Sequence, residues 1–394
     1  MRLVSADSPD STLGAELDAL RDALKADVSE ADTRHLLRIA WIGRGASWLG
    51  WASSGFGLNP VSMLLMSLGI VVRWTTVAHH VVHRGYDHAP GIPPRFTSKR
   101  FAQGFWARLW HWPDVLHPEA WRHEHNTLHH YRLNEEWDPD QPELNLAWLR
   151  QARLPLALKY LFIGLAMLTW RWIYYAPNSM RELVNHRQKR RILGRDDGIA
   201  LAPWTPVGRA VWGQCLLPYM LVHFVVLPLP FLAFGTTAWM WAVINRVGAD
   251  VLANVHSFVV IVPSHVGDDL WRFDTPIRNR DDFYRHQLAG SANYRTGGFW
   301  NDLLHGWLNY QIEHHLFPDL TMRQYTRAQP QVEAIAHRHG LPYVQNSVWV
   351  RLRRLLRVMV GTETMPMWPD ETPQSGVPAS PPHQSPPIPD PTQA

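Results

Sequence analysis

Cysteine is almost absent from this sequence. Cys215 stands alone among 394 residues, which excludes an intrachain disulfide and any all-cysteine metal site. Charge is sparse as well: Asp, Glu, Lys and Arg make up 18%, against roughly 25% in an average soluble domain. Lysine is the scarcest cation, with Lys25, Lys99, Lys159 and Lys189 among 38 basic residues. Arginine in its place points to a GC-rich bacterial genome. The opening MRLVSADSPD lacks the apolar run of a secretory signal. No nucleic-acid motif accompanies the net charge of +4 and pI of about 9.3. The basic residues are scattered between apolar blocks, as in a membrane protein with positive loops on its inner side, and no nucleic-acid partner is expected.

What is plentiful is tryptophan, 21 residues, and histidine, 22. Mean hydropathy is only −0.22, yet the apolar residues come in blocks. Leu13, Leu17, Leu20 and Leu24 recur at helical spacing, predicting an amphipathic helix over 12–27 within an N-terminal region 1–35. Ser29 and Asp32 form a capping-box pattern ahead of the next helix. Apolar segments follow at 36–58, 60–81, 154–176, 211–233 and 236–262, each long enough for a bilayer core. Asn59-Pro60 predicts a hairpin between the first two. From 361 onward the chain is proline-rich, nearly devoid of large apolar residues, and expected to be disordered. Before it, Trp349–Val358 is a basic amphipathic stretch suited to an anionic membrane surface.

The histidines concentrate in three windows. The first holds His79, His80 and His83, then His88. The second holds His123, His125, His129 and His130. The third holds His305, then Gln311, Glu313, His314 and His315. Residues four apart share a helix face, so His79 with His83, and His125 with His129, each point at one metal. Adjacent histidines diverge by about 100 degrees, so His129-His130 and His314-His315 suit two metals side by side. These ligands exceed the needs of one tetrahedral zinc and suit two iron ions with open positions. His80 and His305 are weaker ligands or supporting groups. Asp87, Glu124, Asn126, Asp138, Asp140 and Glu313 are candidate partners for the far ring nitrogens.

HxxxH, HxxxHH and QxxHH in this order resemble the three histidine boxes of the membrane-bound fatty acid desaturases, over about residues 60–325. The stretch Leu308–Pro318 (LNYQIEHHLFP) is similar to the acyl-lipid front-end branch, in which glutamine opens the third box. The resemblance implies a further ligand histidine after the last membrane helix. Ser264-His265-Val266-Gly267 matches that pattern better than His256 does. It also implies O2 as co-substrate and removal of two hydrogens from a lipid acyl chain. Many front-end relatives carry a fused cytochrome b5 with a HisProGlyGly motif. That motif is not found here, so a separate ferredoxin or cytochrome b5 with its reductase is the expected electron donor. A hydroxylase on the same scaffold is the alternative outcome. A histidine-rich metal transporter is the remote one, since its ligands belong midway through spanning helices.

The expected fold is an all-α membrane protein over residues 36–360, with four transmembrane helices in two hairpins, interfacial helices and a cytosolic di-iron cap. The three boxes must meet, so one of the three apolar segments between the second and third boxes does not cross. Lys159, Arg171 and the aromatic content of 154–176 mark that segment as interfacial. The basic run 186–191 then falls on the cytoplasmic side of what is expected to be a bacterial inner membrane.

Overall fold

The computed structural model describes residues 12–190 and 200–369. The opening decapeptide, Arg191 of the basic run and the tail from 370 lie outside the described residues. The described residues are mostly helical, with one short parallel strand pair among them, Ala292–Asn293 beside Val344–Gln345.

Helix α1 (Leu13–Ala26) starts at Thr12, whose hydroxyl accepts from Ala15 N–H, and buries Leu13, Leu17, Leu20 and Leu24. Arg21 and Lys25 on its other side both reach Asp319, just past the third histidine window. At the start of α2 (Glu30–Ser53) the Asp32 carboxylate accepts from the Ser29 N–H at 3.0 Å and from its hydroxyl at 3.2 Å. The turn at Asn59-Pro60 opens α3 (Pro60–Val82), with the Asn59 side chain accepting from Ser62 N–H and proline at a first-turn position where no N–H is needed. α2 and α3 cross closely: a Cβ on Gly69 would overlap Ser47 Oγ and stand 2.8 Å from Gly43 O. The last part of α3 widens to a π-helix over Val72–Ala78 before closing again at His79–Val82.

The second window lies on α4, an α-turn Pro118–Trp121 continuing into a π-helical Arg122–His129. α5 runs over Leu156–Arg187 and α6 over Pro206–Phe234. α6 is broken into α, π and 3-10 pieces, as expected of a helix containing Pro218, Pro228 and Pro230. α7 (Thr236–Ile261) ends in the 3-10 turn Val262–Ser264. α8 (Arg280–Gly290), α9 (Gln311–Leu316), α10 (Met322–Arg338) and α11 (Val348–Val360) follow, and shorter helices lie at Phe105–His111, Pro142–Asn145, Ala147–Gln151 and Phe299–Leu304.

Among the described residues four segments are long and apolar enough to cross a membrane: α3, α5, α6, and α7 with its 3-10 turn. The set differs by one from the sequence expectation. Within the expected 36–58, α2 is diluted by Arg38, Arg44 and several Gly and Ser residues, and α5 qualifies in its place. α5 still touches the histidine-bearing end of the molecule along its length. Lys159 donates to Arg150 O and Val360 O, Asn178 to Pro139 O, and Arg187 pairs with Glu119. Midway, the fully buried Arg171 joins Asp114 at 2.6 Å and Asp250 at 3.0 Å. Its Nε also donates to the Asn254 side chain. Tyr219 donates to Asp250, and Arg246 to the Tyr219 hydroxyl. Charges so deep among apolar helices stay only when paired.

The basic face of α11 is used differently from expectation. Arg351, Arg354 and Arg357 pair with Asp269, Asp268 and Glu363, leaving Trp349 and Arg353 outward. Within the proline-rich stretch, Arg272 N–H donates to Pro366 O and Trp368 N–H to Arg272 O, so residues up to 369 are held against the body.

Candidate metal centre

α3 and α7 run towards the same end of the molecule and deliver histidines from their C-terminal ends, where α4 and α9 meet them. His79 and His83 from α3, His125 from α4 and His314 from α9 form one buried group. His129, His265 and His315 form a second, and within each group one ligand atom from each residue lies within 4.8 Å of the others. The Nε2 atoms of His79 and His314 are 2.9 Å apart, those of His125 and His79 3.3 Å, and those of His265 and His315 2.8 Å. Two imidazole nitrogens each about 2.1 Å from a shared ion, at right angles, stand about 3 Å apart. The ring spacings therefore suit ions held between them.

His130 sits between the groups. Its ring stacks on His315 with centroids 4.3 Å apart and lies 4.4 Å from His83, and both its nitrogens are buried without a partner. Gln311 turns its amide nitrogen to 2.9 Å from His265 Nε2, while its buried oxygen has no partner. A half-turn of this amide would bring the unpartnered oxygen to the second group instead. His80 is held away, against Gly306 O, and His305 against Asn301 O. His256 meets Leu304 O and lies outside both groups.

One spacing argument fails. His79 and His83 join one group, but His125 and His129, also four apart, are divided between two. The π-helical winding of 122–129 spreads four residues over less than one turn, so the pair straddles the centre instead of facing one ion. His314 and His315 divide between the groups as adjacent residues on a helix should.

Burial, with neighbouring imidazoles adding to it, holds His83, His125, His130, His265, His314 and His315 well below the ordinary histidine range. They are neutral near pH 7, the form that offers a lone pair to a metal. His129 is the exception. Burial lowers it too, but the charge of Asp138 and the hydrogen bond to it win and raise it. Asp138 lies 3.0 Å from His129 Nδ1 and is the one expected carboxylate that meets a grouped ring. Asp87 binds Ser98, Asn126 donates to Val82 O, and Glu313 accepts from Asn293 and Tyr343. Glu124 is pushed up by burial and by the nearby Asp140.

Two ring partners had no sequence signal. Gln287 Oε1 lies 2.9 Å from His315 Nδ1 and Tyr325 Oη 3.1 Å from His314 Nδ1. Both come from helices, α8 and α10, whose polar pattern does not distinguish these residues from their neighbours.

The residues fit a metal pair by their chemistry: seven clustered imidazoles with converging nitrogens, far nitrogens bonded to Asp138, Gln287 and Tyr325, and the unpartnered His130 at the join. The fatty acid desaturase family model matches residues 37–347. The NADPH-dependent stearoyl-CoA 9-desaturase of Mycobacterium tuberculosis is 25% identical over 362 residues, covering 90% of this chain and 80% of that one. The acyl-lipid (7-3)-desaturase of Diacronema lutheri is 26% identical over 314 residues, 73% of this chain and 61% of its own. The Delta(8)-fatty-acid desaturase of Euglena gracilis is 27% identical over 237 residues, 57% and 51% respectively. A match over most of the helical body, on a fold that gathers all three histidine boxes at one end, makes this chain a member of the fatty acid desaturase family of oxidoreductases.

Proposed function

We propose that the chain is an O2-dependent di-iron desaturase that places a C=C bond in an acyl chain carried on a lipid. The observation that supports this most directly is the pair of adjacent buried imidazole groups, four and three, with His130 between them. In this reading His79, His83, His125 and His314 hold one iron and His129, His265 and His315 the other. His130 completes one of the two sets, and Gln311 is a weaker ligand of the second. Bound there, the iron pair supplies the oxidising power drawn from O2. The balance is –CH2–CH2– with O2, two electrons and two protons giving –CH=CH– and two waters. The chain's own residues exclude bulk water from the rings and fix them through Asp138, Gln287 and Tyr325. The apolar helices hold the acyl chain so that one C–C bond stands beside the rings.

Electrons come from a separate ferredoxin or cytochrome b5 with its reductase. The names of the relatives divide between a CoA-bound and a lipid-bound acyl group, and the LNYQIEHHLFP third box favours the lipid. In the membrane, the α2–α3 and α6–α7 hairpins span, α5 lies along the interface, and the histidines face the cytoplasm of a bacterial inner membrane. The contacts of α5 with segments beside the histidines support its interfacial place. Accessibility labels that put residues 140 and 275 on opposite faces would sink this topology.

The test of activity is expression in a host with a donor system, with double-bond mapping of the lipids and with His129→Ala and His315→Ala in parallel. A new double bond appearing in lipid-bound acyl chains, and absent from both variants, is the expected result. Full product from either variant overturns the metal assignment. Product appearing first in the acyl-CoA pool overturns the choice of carrier.

A further inference from the structure

Most of the grouped histidines sit on helices that fix them from both sides. His265 does not. It stands alone past the 3-10 turn Val262–Ser264, at φ −115 and ψ −5, where the chain leaves α7. Its ring is held from its own segment by the Ser264 hydroxyl, 3.3 Å from the far nitrogen, and by the Ile261 backbone. Its Nε2 nevertheless lies 2.8 Å from that of His315. Something must hold the peptide that carries it.

Two side chains do. Asn134, from the loop after the second box, donates to His265 O at 3.2 Å and to Gly290 O and Trp271 O. The second is Arg351, one turn into α11 and fully buried. Its Nε donates to Pro263 O at 3.2 Å, one Nη to Val266 O at 2.9 Å, and the other to Asp269 at 2.5 Å. One planar guanidinium thus grips a carbonyl on each side of His265 and a carboxylate beyond it. Gly267 lets it in. A Cβ there would stand 2.6 Å from the Arg351 Nη and 2.6 Å from the Asp269 oxygen. Arg354, three residues on and so on the same helix face, pairs with Asp268. The face of α11 that sequence periodicity assigns to a lipid surface is turned onto this loop. Arg351 lies beyond residues 37–347, the part that matches the family model.

We infer that Arg351 is a positioning residue for the second metal site: it sets the direction of the His265 ring by clamping the carbonyls of Pro263 and Val266. The inference rests on the proposed role of His265 as a ligand. A guanidinium suits the task because its rigid fork serves three acceptors at once, and charge-assisted bonds of this kind are the strong ones. Lysine keeps the charge facing Asp268 and Asp269 but not the fork. A role limited to charge compensation therefore survives Arg351→Lys, and a positioning role does not.

The test uses the full chain in nanodiscs, loaded with iron(II), with metal per chain measured against a graded chelator and the iron pair followed by Mössbauer spectroscopy. Wild type, Arg351→Lys, Gly267→Ala and His265→Ala are compared. Gly267→Ala keeps the arginine but displaces its head, so it guards against a folding failure specific to Arg351→Lys. The expected result is that both variants keep one iron and release the other at about 10–100-fold lower chelator, the range for lost ligand support, with His265→Ala doing the same more severely. The retained first iron reports an intact fold. If both variants hold two irons with the wild-type chelator profile and spectrum, or lose both irons together, Arg351 does not position the site. If His265→Ala itself keeps two irons, the ligand assignment falls, and this inference with it.

Discussion

Asp138→Asn is the sharpest test of how the second group of rings is held. The carboxylate is almost wholly buried and accepts from three directions: His129 Nδ1 at 3.0 Å, Asn134 N–H at 2.9 Å and Asp140 N–H at 3.0 Å. Asparagine offers one acceptor oxygen in place of two and carries no charge. Either its oxygen stays on His129 and Asn134 N–H loses its partner, or its NH2 faces the ring and favours the wrong tautomer. A hydrogen bond to a charged group is worth about 1.5–3 kcal/mol. At 1.36 kcal/mol per tenfold, that is a loss of about 10–150-fold in affinity for the ion proposed at His129. His79, His83, His125 and His314 share no hydrogen bond with Asp138, so the ion proposed there should stay. Iron per chain at graded chelator concentration measures this, with a second, weaker step expected for the variant alone. A variant releasing both ions in one wild-type step, or losing both equally, would refute the argument that Asp138 acts through His129.

Three further outcomes are expected. Arg171→Met leaves Asp114 buried without its cation and Asp250 with Arg246 alone, and should cost about 3–5 kcal/mol, read as a lower Tm in detergent; an unchanged Tm contradicts the pairing. Gly69→Ala forces a methyl against Ser47 and the Gly43 carbonyl where α2 and α3 cross, and should cost about 1–3 kcal/mol; Ser47→Gly made with it relieves only the Ser47 part, and an unchanged Tm for Gly69→Ala contradicts the close crossing. Glu135 is pushed up to about 7, chiefly by burial, with Arg132 opposing and Asp138 adding. Because its folded value lies above the ordinary 4.5, the folded protein binds the extra proton between these limits and loses stability as pH rises through them. Glu135→Gln should flatten that fall in an unfolding series from pH 4.5 to 7.5, and identical slopes would rule it out.

What the sequence reveals is what is local. The leucine stripe of α1, the Ser29–Asp32 start of α2 and the Asn59-Pro60 turn are each set within a few residues, and each appears where the pattern puts it. The histidine windows are legible for the same reason, since their spacing is the message. The expectation fails where winding departs from α, as at His125 and His129, because nothing in RHEHNTLH declares a π-helix. It is silent where a partner comes from far along the chain. Gln287 reaches His315, Tyr325 reaches His314, Asn134 crosses 131 residues to His265, and Arg351 returns from beyond them all. The tryptophans divide along the same line. Trp41, Trp48, Trp106 and Trp110 are exposed, as an interfacial belt would be, whereas Trp74, Trp112 and Trp121 are buried, with Trp121 stacked on His125.

The buried ionic group around Arg171 bears on how the protein is made. A charge buried among apolar helices is costly until it is paired, and Arg171 is synthesised 79 residues before Asp250. At about 5–20 residues per second it waits about 4–16 s for that partner. Asp114, 57 residues earlier, is already present to receive it. Arg246 and Asp250 emerge together, one turn apart and 3.3 Å from each other, so α7 carries its own counter-charge. Chains arrested before residue 240 should therefore crosslink between positions 114 and 171, and failure to do so would remove the idea. On this account the order of charges along the chain is itself an assembly schedule, in which no ion is buried among the helices before a partner for it exists.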